Sequence, residues 1–295
     1  MNKNRRSYSK TGFAFLAPAL IFVLIFNVIP FVWNFILSFQ TWNGFEKAEF
    51  IGIRNYIESF QDPLVMKSLF NSALYAFTST IGGVIIGLII ATLIFKLGGK
   101  EGSAFRLILY SPAMLPTAVV GLMFVFFYNP NMGLLNNFLE VIGLENLTQV
   151  WLQNKSTAMV SIIFVAIWKC AGTVMMLCFA AMQSVPSTLY ESSNLDGASF
   201  SKQMIHITYP LIKPMILLAT INTLGTQYKS YDLIFTMTQG GPGSLTATVP
   251  IVMTKTAFNF GYFGNAASMG VIFTVVVAIS IIIVRRVLKG DDYEF

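Results

Sequence analysis

The sequence predicts an all-α integral membrane protein with six transmembrane helices and a cytoplasmic pair of short helices between the fourth and fifth spans. Only 11% of its 295 residues are charged, and 55% are hydrophobic. Soluble globular domains carry about 25% charged residues, so this chain lacks the polar surface that water requires. Its apolar stretches are continuous rather than alternating, which argues against a transmembrane β-barrel.

Six stretches are long enough to cross a bilayer, whose apolar core of about 30 Å requires about 20 residues of helix. They are residues 13–39, 68–95, 105–128, 157–183, 211–237 and 266–288, the last two with approximate bounds. Several contain Pro or Gly, such as Pro30, Gly82 and Pro116. We expect these to be tolerated, because neighbouring helices satisfy the freed backbone groups.

The distribution of Lys and Arg predicts the orientation, because cytoplasmic flanks carry an excess of both. Twelve such residues lie on the side of both termini and five on the other. The net charge of +6 largely reflects this bias and does not indicate nucleic-acid binding. The first apolar run is too long for a signal peptide and is expected to stay uncleaved. We expect a cytoplasmic segment 1–12, a membrane domain 13–289 and a cytoplasmic tail 290–295, in a multi-pass protein of the cell membrane.

A polar segment, residues 187–210, separates the fourth and fifth apolar runs and is typical of helix, turn, helix. Ser187 is predicted to cap the first helix, and Gly197 to be the left-handed residue after it. Ser199 is predicted to cap a second helix, which Pro210 ends. Such a segment either simply connects two spans or offers one face to a cytoplasmic partner.

This segment resembles the cytoplasmic signature of the permease subunits of binding-protein-dependent ABC importers. That signature has an acidic residue, two small residues, a Gly six residues after the acid, and a Pro further on. The matching residues are Glu191, Ser192, Ser193, Asp196, Gly197, Ala198 and Pro210. Serines stand where two alanines are usual, and both residue types are small. The resemblance implies that the two short helices couple to an ATP-hydrolysing subunit.

Residues 231–270 resemble the carbohydrate permeases of that family, in particular the larger permease subunit of the maltose importer. The stretch usual there is Thr238, Gln239, Gly240, Gly241 and Pro242, and the likeness extends over essentially the whole chain. The resemblance implies a second homologous permease, two ATPase subunits that bind ATP and Mg²⁺, and an extracytoplasmic solute-binding protein. It implies a carbohydrate substrate, moved by alternating access, and no cofactor in this chain. The loop 238–242 is then a docking or gating loop; the alternative is a plain connection.

No motif for catalysis or metal binding is present. The chain has no GxxxxGK[ST] loop to hold phosphates and no HExxH pair. Its single histidine, His206, is better explained as a solvated or interface residue than as a base. Cys170 and Cys178 are about 12 Å apart on one helix, too far for a disulfide. ATP hydrolysis is therefore expected in another chain, and this one is not expected to be an enzyme.

Charged residues inside the spans indicate the pathway, because a membrane charge costs about 2.5–3.5 kcal/mol on insertion scales and usually faces a cavity or a partner. Lys169 lies in the fourth span, and Lys229 and Asp232 lie in the fifth. Lys229 and Asp232 are spaced to share a helical face, so they form either a structural ion pair or part of the pathway. Asp232 also matches an acidic position usual before the glycine-rich loop in the family that this chain resembles, and the resemblance implies an alternative role in stabilising an outer gate. The other predicted pathway residues are Asn222, Gln227, Tyr228 and Tyr231.

Two alternative functions follow from the same residues. An importer of glycerol 3-phosphate would need cationic partners for the phosphate, for which Lys169 and Lys229 are the candidates. A stand-alone carrier driven by an ion gradient usually shows internal repeats and broken helices, and no internal repeat is evident in the sequence.

Overall fold

A computed structural model describes Gly12 and residues 15–288, and in that part the protein is almost entirely helical. The strands within those residues are β1 (Gln40–Thr41) and β2 (Glu49–Phe50), which pair antiparallel. The predicted all-α class is confirmed. The predicted tail 290–295 and, apart from Gly12, the predicted segment 1–12 lie outside the described residues.

The helices are given in chain order. They are α1 (Phe15–Leu37), α2 (Arg54–Gln61), α3 (Pro63–Leu97), α4 (Gly99–Met114), α5 (Thr117–Phe127), α6 (Leu134–Val141), α7 (Ala158–Gln183), α8 (Ser187–Leu195), α9 (Phe200–Leu211), α10 (Lys213–Tyr228), α11 (Asp232–Thr238), α12 (Val249–Thr254) and α13 (Phe263–Leu288). Short π turns lie within α1 and α9 and directly after α12. Of these helices, α1, α3, α7 and α13 are each long and apolar enough to cross a membrane.

The third span is bent, although a single helix over 105–128 is predicted. Helix α4 ends at Met114, α5 begins at Thr117, and the two axes differ by 94°. Pro116 explains the break, because a proline disfavours the helical conformation of the residue before it. Leu115 accordingly has extended backbone angles (φ −71°, ψ 140°).

The fifth span also differs from its prediction at both ends. Pro210 does not end the second short helix, since α9 continues to Leu211 and the 68° bend to α10 comes at Ile212. A π turn precedes Tyr209, so Pro210 lies in a first α-helical turn, where its missing N–H is not needed. At the other end α10 stops at Tyr228, and α11 is a separate helix. Six crossings result if each bent pair crosses once, so that number stays a prediction.

The chain divides into two compact units. The first consists of Met1–Met66 and Met253–Thr274. In its described part, buried Asn55 donates from Nδ2 to the carbonyls of Ser38 (2.9 Å) and Gln40 (2.8 Å). The hydroxyls of Ser59 and Ser268 are 2.9 Å apart. Polar side chains therefore fasten α2 to the segment after α1 and to the start of α13.

The second unit, Lys67–Val252 and Val275–Phe295, is built around α7. Small residues let α7 approach its neighbours closely. A methyl group added at Gly87 of α3 would lie 2.8 Å from the carbonyl oxygen of Ala171, and one at Gly172 would lie 2.8 Å from that of Leu109. Close approach of this kind is the usual way helices associate in lipid.

Candidate coupling site and translocation cavities

The predicted helix pair is present, and we call residues 187–211 the coupling hairpin. Helix α8 occupies Ser187–Leu195, as expected. The capping position is Pro186, whose backbone is extended (φ −58°, ψ 132°), so the prediction that Ser187 caps the helix is wrong. Ser199 does occupy the capping position of α9, but its side chain makes no capping hydrogen bond.

The turn between α8 and α9 depends on Gly197, which has φ +72° as predicted. Its N–H donates to the carbonyl of Asn194 at 3.0 Å, and the N–H of Ala198 donates to that of Ser193 at 2.9 Å. This pair of bonds is the Schellman motif, which satisfies the last carbonyls of a helix. An added methyl group at Gly197 would meet nothing within 4 Å, so glycine is needed for its backbone angle and not for space.

Hydrogen bonds between side chains join the two helices of the hairpin. Buried Gln203 donates from Nε2 to Ser193 Oγ (2.8 Å) and to Asn194 Oδ1 (2.7 Å). The Ser193 hydroxyl in turn donates to the carbonyl of Tyr190 at 2.9 Å. An alanine at position 193, which the resemblance leads one to expect, would make neither contact. Ser193 therefore has a role inside the hairpin, and its contact with an ATPase stays a prediction.

The other predicted coupling residues lie at the surface of the hairpin. Glu191, Ser192, Asp196 and Gly197 are exposed, and Ala198 is half-buried. Leu195, which the sequence interpretation missed, is 91% exposed at the end of α8. The sequence feature that could have revealed Leu195 is an apolar residue between two polar ones, Asn194 and Asp196, in the middle of a polar segment. An apolar side chain this exposed is available to a partner.

The coupling hairpin is attached to the carboxyl-terminal end of α3. The rings of Phe95 and Tyr190 lie 6.1 Å apart, and the hydroxyls of Thr92 and Tyr209 lie 3.0 Å apart. Lys96 Nζ lies 5.5 Å from the centre of the Phe200 ring. A displacement of the hairpin would consequently act on α3.

One cavity of about 400 Å³ collects five of the predicted pathway residues, and we call it the charged cavity. They are Lys169, Gln227, Lys229, Tyr231 and Asp232. Asn222 does not line the cavity, and neither does Tyr228, which is buried with its hydroxyl 2.8 Å from that of Ser280. The cavity brings α7 together with the break between α10 and α11.

The charges in this cavity are not paired with one another. Lys229 follows the end of α10, and Asp232 starts α11, so the predicted shared helical face is wrong. Within the described residues neither Lys169 nor Lys229 forms an ion pair with Asp232. Lys169 Nζ lies 3.4 Å from the carbonyl oxygen of Ala113. Among the described residues, the lysine ammonium groups and the carboxylate of this cavity thus have no ion-pair partner.

Tyr75 is a cavity residue that the sequence interpretation missed. It is 1% exposed on α3, and its hydroxyl donates to that of Ser230 at 3.1 Å, within the break between α10 and α11. The available signal was a tyrosine inside a predicted span, with the polar residues Asn71, Ser72 and Ser79 nearby. Because Tyr75 and Thr92 are on the same helix, α3 connects the charged cavity with the coupling hairpin over about 26 Å at 1.5 Å per residue.

A second cavity, of about 390 Å³, lies beside the glycine-rich loop, and we call it the uncharged cavity. Its lining includes Thr238, Gln239, Gly241 and Pro242 of the predicted docking or gating loop, whereas Gly240 is buried with φ +89°. Thr246 closes the loop: its Oγ1 donates to the carbonyl of Gly241 at 2.8 Å and lies 2.7 Å from Thr238 Oγ1. The loop therefore has a defined shape, while docking and gating stay predictions.

Comparison with known proteins explains this combination of features. The family model described as "Binding-protein-dependent transport system inner membrane component" matches residues 83–290, which include the coupling hairpin and residues of both cavities. The chain belongs to this family. It is a membrane component of a transport system that depends on a binding protein, and therefore it is not a stand-alone carrier driven by an ion gradient.

Relatives of this permease match along nearly its whole length. It is 38% identical to the probable ABC transporter permease protein YurN of Bacillus subtilis, over 95% of this chain and 97% of the relative. It is 32% identical to the diacetylchitobiose uptake system permease protein NgcF of Streptomyces coelicolor, over 95% and 84%. The trehalose/maltose transport system permease protein MalF of Thermococcus litoralis is 28% identical, over 94% and 93%.

A solved structure has the same fold as this permease. A chain of a bacterial ABC transporter involved in the import of the acidic polysaccharide alginate superposes with a TM-score of 0.83, over 97% of both chains, at 23% identity. The permease fold expected from the resemblance is therefore confirmed.

Proposed function

We propose that this permease carries a carbohydrate across the cell membrane by alternating access. It forms one half of a pore that a second homologous permease completes. Two ATPase subunits, which hold ATP and Mg²⁺, bind on the cytoplasmic side, where both termini of this chain also lie. A solute-binding protein delivers the substrate from outside. In this arrangement the chain itself is not an enzyme.

The observation that carries the proposal is the continuity of α3. Its carboxyl-terminal end holds the coupling hairpin through Thr92 and Phe95, and its middle contributes Tyr75 to the charged cavity. A push on the exposed surface around Leu195 is thereby transmitted along one helix to the cavity. Alternating access needs such a mechanical link between the site of ATP hydrolysis and the solute.

The chemistry of the charged cavity suits a sugar. Its lining offers the ring of Tyr231, the amide of Gln227 and several hydroxyls, including those of Thr226 and Ser230. Aromatic surface with a few polar groups is typical of small-molecule sites, and hydroxyls and amides both donate and accept hydrogen bonds. The names of the relatives, which include permeases for lactose and arabinooligosaccharides, favour the same class of substrate.

Affinity purification from the native membrane tests the partners, and the exposed Leu195 supplies the variant. With the unaltered chain we expect an ATPase and a second permease to co-purify. Leu195→Asp places a charge where an apolar contact is expected, and it should reduce ATPase recovery and ATP-dependent sugar uptake at least tenfold. The matched control is Leu147→Asp, because Leu147 is also an exposed leucine but lies in the connection between α6 and α7.

The outcomes separate the parts of the proposal. Recovery of the chain without any ATPase would contradict the coupled importer. Equal recovery with Leu195→Asp and Leu147→Asp would leave the importer intact but remove the coupling hairpin from the ATPase interface.

A second candidate, a phosphate-bearing or other anionic solute, is favoured by one observation. The charged cavity contains two lysines and a single aspartate, so its lining carries a net positive charge. Whether glycerol 3-phosphate competes with the transported solute for ATP-dependent uptake decides between a carbohydrate and an anionic solute. If the solute is an anion, glycerol 3-phosphate should compete with it, and should lose that ability with Lys169→Gln but not with Lys155→Gln, because Lys155 is an exposed lysine in the connection 148–157. If the solute is a neutral sugar, glycerol 3-phosphate should not compete.

A further inference from the structure

The uncharged cavity has the features of a ligand site although no role is assigned to it beyond its loop. None of the residues described as lining it is charged. Its volume of about 390 Å³ lies within the usual range of ligand pockets, roughly 300–1,000 Å³. Apolar surface comes from Val125, Val150 and Leu152, and aromatic surface from Tyr128.

Two amides in the lining have unused hydrogen-bonding capacity. Asn129 Oδ1 accepts from the backbone N–H groups of Asn131 and Met132, both at 3.0 Å, which fixes the side chain. Its Nδ2 has no partner among the described residues, and the amide of Gln153 has none there either. Such an amide supplies both donors and acceptors, which is what a neutral hydroxyl-bearing ligand requires.

The two cavities are lined by opposite ends of helix α11. Asp232 and Leu233 at its start line the charged cavity, whereas Thr236, Met237 and Thr238 at its end line the uncharged one. Seven residues of helix measure about 10 Å, so the two spaces follow one another along a short distance. An extended solute could occupy both in succession.

We propose that the uncharged cavity is a second saccharide subsite, which holds an uncharged sugar ring through the amides of Asn129 and Gln153. This inference rests on the proposed carbohydrate transport. The subsite lies at the opposite end of α11 from the charged cavity and receives the sugar before or after it occupies that cavity. The loop 238–242 then serves as a wall of the subsite.

The alternative occupant is a segment of the binding protein. A docking surface on a charged partner would be expected to present charged side chains, whereas the described lining of this cavity presents amides, hydroxyls and apolar groups. The absence of charge among the described lining residues also distinguishes the subsite from the charged cavity, where an anionic group would find lysines. We therefore assign the sugar and let the experiment test the binding protein.

Protection from chemical labelling tests the subsite in the assembled importer. Val150→Cys introduces a thiol into the lining without altering either amide, and labelling by a membrane-impermeant maleimide is followed by mass spectrometry, which resolves it from Cys170 and Cys178. The control is Val141→Cys, because Val141 is an exposed valine of α6 that does not line the cavity. The probes are lactose, maltose, trehalose and diacetylchitobiose, each also assayed for ATP-dependent uptake.

A transported saccharide, added without binding protein, should slow labelling of Val150→Cys at least threefold and leave that of Val141→Cys unchanged. Adding Gln153→Ala to Val150→Cys should abolish the protection, because one of the two amides is lost. Uptake of a saccharide without protection at position 150 would overturn the subsite and leave the transport function standing.

Two further results would count against the subsite. If the binding protein slows labelling at position 150 without saccharide, while the saccharide alone does not, the cavity is a docking surface. If none of the four saccharides is taken up or protects, the carbohydrate function fails for this class and the subsite fails with it.

Discussion

The packing between the spans and the coupling hairpin use glycine for opposite reasons. At Gly87 and Gly172 the glycine provides space, because an added methyl group would collide with the backbone of a neighbouring helix. At Gly197 space is ample, and glycine is needed for a left-handed backbone angle. Apolar helices gain little from hydrophobic association in lipid and depend on close packing, whereas the hairpin depends on turn geometry and hydrogen bonds.

The largest effect is expected where glycine provides space. Gly87→Ala would place a methyl carbon 2.7 Å from Cβ of Val174 and 2.8 Å from the carbonyl of Ala171, so α3 and α7 must separate. Overpacking of this kind costs about 1–3 kcal/mol. The thermal midpoint of the purified complex should fall, together with uptake.

Gly225→Ala is the matched control for Gly87→Ala. Gly225 is also within a helix, but an added methyl group there meets nothing within 4 Å. Its midpoint should stay the same or rise. Equal midpoints for the two variants would mean that the close approach of α3 and α7 does not stabilise the protein.

A smaller effect is expected where glycine provides the backbone angle. Gly197→Ala should destabilise the turn by about 1–2 kcal/mol, because a left-handed conformation is unfavourable for residues with a Cβ. The affinity for the ATPase should fall by up to about thirtyfold, if the whole cost appears in binding. The affinity of the Gly197→Asn variant for the ATPase should fall less, since asparagine tolerates the left-handed conformation. If Asn and Ala reduce the affinity equally, the side chain and not the backbone is responsible.

The hydrogen bonds inside the hairpin should contribute less again. Ser193→Ala removes one of the two acceptors of the Gln203 amide, at an expected cost of about 1 kcal/mol. Faster amide hydrogen exchange in α8 and at the start of α9 would show the loss. Ser192→Ala is the control, because Ser192 is exposed and should change nothing. Unchanged exchange in Ser193→Ala would indicate that the contact with Asn194 is sufficient.

The smallest effect concerns pH and the first unit. The hydrogen bond from Asn265, followed by the contact with Arg54, lowers the pKa of the Glu58 carboxyl below its ordinary value. A lowered folded-state pKa stabilises the fold above the ordinary pKa, and this contribution is lost as the pH falls through the folded value. Glu58→Gln should therefore make the stability of the protein depend slightly less on pH in the acidic range. Thermal midpoints measured between about pH 3 and 7, a range that includes the ordinary pKa of Glu, would show this. A profile identical to the unaltered protein would contradict it.

The coupling hairpin was predictable in most of its detail because its structure is local. The positions of α8, the left-handed Gly197 and the start of α9 depend on residues a few positions apart. The interior contacts of the hairpin were not predictable, since Gln203 reaches Ser193 only after the turn has brought the helices together. Pro210 was misinterpreted because the preceding π turn shifts the hydrogen-bond pattern.

The cavities were less predictable than the hairpin. Charge inside a span indicated Lys169, Lys229 and Asp232, because a membrane charge is costly and usually faces a cavity or a partner, and the three residues do line one cavity. Their role in the pathway stays a prediction. The same reasoning placed Lys229 and Asp232 on one continuous helix, and it did not foresee the break between them. Tyr75 gave no charge signal, and its position in the cavity depends on the approach of α3 to that break.

By itself the sequence determined the membrane class, the helical character and the polar hairpin. These follow from composition and from the backbone preferences of single residues such as Gly197, which do not depend on distant parts of the chain. Only the tertiary structure decided which residues share the charged cavity, and that a second, uncharged cavity lies at the other end of α11. The physical reason is that cavities result from how closely helices remote in sequence can pack, and that closeness is set at positions such as Gly87 and Gly172 together with their neighbours.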